Sequence, residues 1–135
     1  MSDTEGKPDL KAVKAEIREG VDDLTGNLQK AASSLLVAHG GAMLACLSQL
    51  KDYSSNANLK HIGFVIAAFG VGFLLAMLSY IDVAVGRSKL MLGIYKADAR
   101  AFQPMPLMRA VTFLYFSAGV LGLAVLGIVW RFFWF

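Results

Sequence analysis

In the stretch VAHGGAML, residues 37–44, a histidine and two glycines sit in a run without a charged residue from Ala31 to Leu50. An imidazole so placed could relay protons, ligate a metal or hold a haem iron. Each of these needs a second group. The other histidine, His61, falls at the outer end of the next apolar run, whereas His39 lies about 16 Å deeper at 1.5 Å of helix rise per residue. Within one chain the two cannot share an iron. Ser34 and Ser48 lie near His39 in sequence, but no carboxylate stands in the apolar runs to orient an imidazole for nucleophilic attack.

The one cysteine, Cys46, cannot form an intrachain disulfide, and no metal-spaced cluster, nucleophile elbow or phosphate-binding loop occurs. The residues therefore predict a chain without enzymatic activity, with no catalytic residue, no metal site and no cofactor. What remains for His39, Gly40 and Gly41 is a polar intramembrane contact. An imidazole uncharged at neutral pH can donate one hydrogen bond to a neighbouring helix, and the glycines let that helix come close. A proton or ion role is the competing reading, and it requires an oligomer with His39 lining an aqueous path.

The elements that would position His39 follow from composition. Of the 135 residues 56% are hydrophobic and 17% charged, and the mean hydropathy is +0.55, the profile of a membrane protein. Three uncharged runs reach the ~20 residues that a helix needs to cross a bilayer: Ala31–Leu50, Ile62–Ile81 and Val111–Trp130. The fold class predicted is all-α, an integral membrane bundle of three transmembrane helices, with residues 1–30 as a tail and 31–135 as the transmembrane domain. The N-terminus, MSDTEGKPDLK, is acidic and polar, unlike a cleavable secretory signal.

Lysine and arginine set the direction of insertion. Ten of the thirteen fall in the tail (Lys7, Lys11, Lys14, Arg18, Lys30) and in the second loop, roughly Asp82 to Ala110 (Arg87, Lys89, Lys96, Arg100, Arg109). Only Lys51, Lys60 and Arg131 lie on the other side. This places the N-terminus and second loop in the cytoplasm and the C-terminus outside, in a bacterial inner membrane. At the inner ends of the second and third spans, Asp82 and Arg109 stand at similar depth and can form an ion pair. Trp130, Arg131 and Trp134 read as an interfacial belt, and Pro104 and Pro106 precede the third helix as proline does at a helix start.

Lipid supplies no hydrophobic drive between helices, so close approach must hold the spans together. Small residues recur at four-residue steps: Ala38 and Ala42 in the first span, with Ser34 and Cys46 before and after them, then Ala68, Gly72 and Ala76, then Ala118 and Gly122. In the tail, Leu10, Val13, Ile17, Val21, Leu24 and Leu28 recur at steps of three and four, an amphipathic helix that either packs on the second loop or self-associates. It has no aromatic residue and more acid than base, which disfavours a membrane-surface role.

The core HGGA, His39 to Ala42, together with LLAMLSY from Leu74 to Tyr80 and the terminal FFWF, resembles small three-span bacterial and prophage membrane proteins of unknown function. Their first span carries an Asn/His-Gly-Gly-Ala core. The likeness extends over about two-thirds of the chain and implies three spans and no known activity. The function expected is that of a small integral membrane protein that self-associates or serves as an accessory subunit of a larger membrane complex. Its partners would be the lipid bilayer and membrane proteins, and not nucleic acid. An oligomeric pore or membrane-permeabilising protein, holin-like or acting in phage defence, is the alternative.

Overall fold

The computed structural model describes residues 9–49, 56–96 and 105–134. Residues 51–55 and 97–104, with Pro104 among them, lie outside the described residues, as do the side chains of His61, Arg131 and Trp134. All the secondary structure described is helical: α1 (Leu10–Gln49), α2 (Asn56–Lys96) and α3 (Met105–Trp134). Each is long and apolar enough to cross a membrane. The helix α2 packs on both α1 and α3, while α1 and α3 touch over a short stretch.

The tail and the first span are one helix. Asp9 starts it, its side chain accepting the backbone N–H of Lys11 at 3.0 Å, an N-cap that satisfies one of the free donors of the first turn. From there α1 runs 40 residues to Gln49, about 60 Å at 1.5 Å per residue. The helix α2 likewise runs past its apolar span. The stretch from Asp82 to Lys96, which charge and composition assign to a loop, is helical. Packing explains the difference, since its stripe of inward residues does not stop at Asp82.

That stripe is Phe69, Gly72, Ala76, Ser79, Val83, Gly86, Leu90 and Gly93, buried at alternating steps of three and four. The other helices keep the same beat. Thr25, Ala32 and His39 are buried at sevens along α1, and Ala110, Ser117 and Ala124 at sevens along α3. A repeat of 3.5 residues is the pattern of helices that coil around one another in a left-handed sense. Small residues fill most of these positions, so the backbones approach closely where apolar bulk would bring no gain in lipid.

Hydrogen bonds fix the register. In the polar half, Asp22 of α1 meets Arg87 of α2, and seven residues on, the Gln29 amide donates to the Tyr80 hydroxyl at 2.7 Å. Seven residues forward on α1 are matched by seven back on α2, as antiparallel neighbours require. At the start of α3 Pro106 is buried in the first turn, where its missing N–H costs nothing. There Gly86 of α2 lets Leu107 come close, for a Cβ at Gly86 would stand 3.0 Å from the Leu107 side chain.

Candidate functional site

One buried polar contact joins all three helices at His39. Its imidazole is fully buried, and Nε2 lies 3.1 Å from both the carbonyl oxygen and the hydroxyl of Ser117 on α3. The Ser117 hydroxyl itself donates to the carbonyl of Gly72 on α2 at 2.9 Å. With its hydrogen committed there, the hydroxyl can only accept from the ring, as the carbonyl must. Nε2 therefore carries a hydrogen and donates it. One side chain from α1 thus ties into a bond between α2 and α3, and the three helices meet through His39, Gly72 and Ser117.

Around this centre the packing is close. Phe69 stands edge-on to the imidazole, ring centroids 6.1 Å apart. The ring fills the space that a side chain at Gly72 would need: a Cβ built there overlaps Cε1, Nδ1 and Nε2 of His39. The close approach is thus made by the glycine of the facing helix. Gly40 and Gly41, where the sequence places it, are less constrained. A Cβ on Gly40 would reach ordinary contact with Phe73 at 3.6 Å, and one on Gly41 would meet nothing within 4 Å. His39 Nδ1 is buried without a hydrogen-bond partner.

A second bond lies one heptad away. Ser79 of α2 donates its hydroxyl to the Ala110 carbonyl of α3 at 2.8 Å. Ser79 and Gly72 are seven residues apart on α2, as are Ala110 and Ser117 on α3. Each helix gives one serine hydroxyl and one carbonyl, so the pair is reciprocal. Other serine and threonine hydroxyls fold back on their own helix, as Ser33 does on Gln29 and Thr112 on Met108, the usual habit in helices. The two buried serines cross over instead because a small residue on the facing helix exposes its carbonyl to them.

Past the apolar part of α2, beside the start of α3, Arg109 Nε stands 3.4 Å from Asp82 Oδ2, with Arg109 63% and Asp82 16% exposed. That oxygen is buried and makes no hydrogen bond, so the attraction is one of charge across a short gap. The guanidinium also lies over the Phe113 ring, 6.0 Å from its centroid, within the range of a cation–π contact.

The small residues singled out by four-residue spacing divide between inward and outward faces. Gly72 and Ala76 are buried and Ala42 and Ala68 half-buried, while Ala38, Ala118 and Gly122 are exposed. The contacts missed by that spacing are those of Ser79, Ser117, Ala110 and Gly86. Their signal is a period of seven, in which Gly72, Ser79, Gly86 and Gly93, and likewise Ala110, Ser117 and Ala124, recur as small residues.

Among the described residues no three of His, Cys, Asp and Glu stand close enough to hold a metal. The arrangement can fix helices against one another by directed bonds in a medium without water. No protein-family model, curated protein or solved structure matches this chain.

Proposed function

We propose that the chain is a non-enzymatic integral membrane protein whose work is association, with further copies of itself or as an accessory subunit of a larger membrane complex. The observation that carries this reading is the apolar face left open on the polar half of α1, where Leu10, Val13, Ile17 and Leu24 are between 40% and 73% exposed. These residues lie before the first apolar span, among charged neighbours, where exposed hydrocarbon favours a protein partner. The excess of Lys and Arg on the tail and around the second loop supports a cytoplasmic N-terminus in a bacterial inner membrane.

Within this reading His39 serves the bundle, holding α1 on the α2–α3 pair. The alternative of an oligomeric pore asks for a polar surface along a path through the bilayer. His39, the side chain that would offer it, is packed inside a single chain, which weighs against the pore.

The test is purification in mild detergent followed by size-exclusion chromatography with light scattering. The proposal expects a protein mass above the 14.6 kDa of one chain, or a second subunit in fixed proportion. A monomer with nothing bound rejects it. Dye uptake and growth arrest on induction would favour the pore instead.

A further inference from the structure

The open face of α1 continues into the membrane in one register. We infer that it is the seam along which a second copy of this chain docks, the two α1 helices running parallel. The inference rests on the associating role proposed above and names its partner.

From Leu10 the face advances by three and four residues through Val13, Ile17 and Leu24, with Gly20 and Asn27 at the intermediate steps. Past Lys30 the same beat falls on Ala31, Ser34, Ala38, Gly41, Ala45 and Ser48, every one exposed. The steps are those of the a and d positions of a two-stranded coil. Before the apolar span four of the six hold large apolar residues, with Gly20 and Asn27 between them, and within it all are small. That is the division the two solvents demand, since water rewards burial of bulk whereas lipid rewards close backbone approach. The large lipid-facing residues of this helix, such as Val37 and Leu44, stand beside the seam and not on it.

Three arguments identify the occupant. First, α1 is continuous from Leu10 to Gln49, so Leu10, Val13 and Ile17 stand about 20 to 30 Å before Ala31 along a single helix. They cannot lie on the bilayer unless that helix breaks. Four basic and four acidic residues between Leu10 and Lys30 also give anionic lipid no net charge to attract. Second, the change from large to small comes at one level. A copy inserted to the same depth changes at that same level, so bulk faces bulk and small faces small. Third, the flanking charges match. Copies inserted alike run parallel, which sets Asp9 of one against Lys14 of the other, the position before a core residue against the one after the next. Both are exposed, and no like charges are opposed.

The experiment uses the full chain in native membranes, in a Cys46→Ser background with single Ile17→Cys, Ala38→Cys, Ala15→Cys and Ala118→Cys substitutions, under mild oxidation. Ile17 and Ala38 sit on the seam, Ala15 on the other side of α1, and Ala118 on the exposed face of α3. Disulfide-linked dimers are expected from Ile17→Cys and Ala38→Cys only. Lys14→Asp should weaken dimerisation by about tenfold, the effect of some 1.4 kcal/mol, and adding Asp9→Asn, which keeps the cap of α1 but removes the opposed charge, should recover part of it. Dimers from Ala118→Cys alone would overturn the seam and leave self-association standing by another face. No dimer from any position, with a second subunit co-purifying, would overturn the seam and leave the accessory role. No dimer and a monomeric mass would overturn both.

Discussion

Gly72 and His39 occupy one space: the imidazole of α1 stands where a side chain on Gly72 of α2 would be. The fit is therefore intolerant on both sides, and it explains why a helix-weakening residue sits at the centre of the second span. Gly72→Ala should destabilise the bundle by about 1–3 kcal/mol, the usual cost of forcing atoms into a packed core. Combined with His39→Ala the loss should be smaller than the two single losses together, because the new methyl then enters vacated space. Unfolding of the purified variants in a mixed-micelle denaturant series measures this. Additive losses would show that the two side chains do not compete.

His39 acts as a donor through Nε2. His39→Gln, which can offer an amide N–H at similar reach, should retain most of the stability, whereas His39→Leu should lose the bond, worth about 0.6 and at most ~1.7 kcal/mol in a membrane bundle. Equal stability of the Gln and Leu variants would reduce the histidine to a space-filler. Loss of an ion or proton flux in His39→Gln, with the fold intact, would instead revive a transport role.

The reciprocal serine bonds predict an order. Ser117→Ala removes a hydroxyl that serves two partners, Gly72 and His39, while Ser79→Ala removes one that serves Ala110 alone. Ser117→Ala should therefore cost more, with each loss on the order of 1 kcal/mol. Thermal melting in detergent would show it as a larger fall in Tm for Ser117→Ala.

The two ion pairs should differ in what their loss costs. Asp22 and Arg87 are bonded at 2.8 Å but lie open to water, 36% and 50% exposed, so Asp22→Asn should cost at most about 1 kcal/mol, a cost that fades in high salt.

Between Asp82 and Arg109 the burial is one-sided. Arg109→Gln leaves a mostly buried carboxylate without its cation, whereas Asp82→Asn leaves an arginine that water can solvate. Arg109→Gln should be the more damaging, and Asp82→Asn added to it should recover part of the loss. Membrane-fraction protein levels of the three variants decide the point.

The three apolar helices were legible from charge-free runs of about 20 residues, because the bilayer imposes that length and the chain obeys it. The far end of α2 was not. Asp82 to Lys96 carries enough charge to pass for a loop, and its helicity comes with the burial of Val83, Gly86, Leu90 and Gly93, Gly86 against Leu107 of α3, a tertiary gain that no local propensity carries. His39 was legible as a polar residue in an apolar run, yet its partner was not. Ser117 looks like any serine in a membrane helix until α2 and α3 are brought into register. Four-residue spacing mixed inward and outward residues, since straight α-helices drift from a four-residue row while coiled ones hold a seven-residue one.

The continuity of α1 has a mechanical consequence. From His39 to Leu10 the helix is unbroken, and Gln29 and Asp22 bond it to α2 along the way, so it is a lever whose free arm runs from Asp22 to Leu10, about 18 Å. A pivot of about 5° at Asp22 would carry the tip at Leu10 through roughly 2 Å, under half of one helical turn. Side chains at the far end of α1 thus move with the contact that Asp22 makes to Arg87.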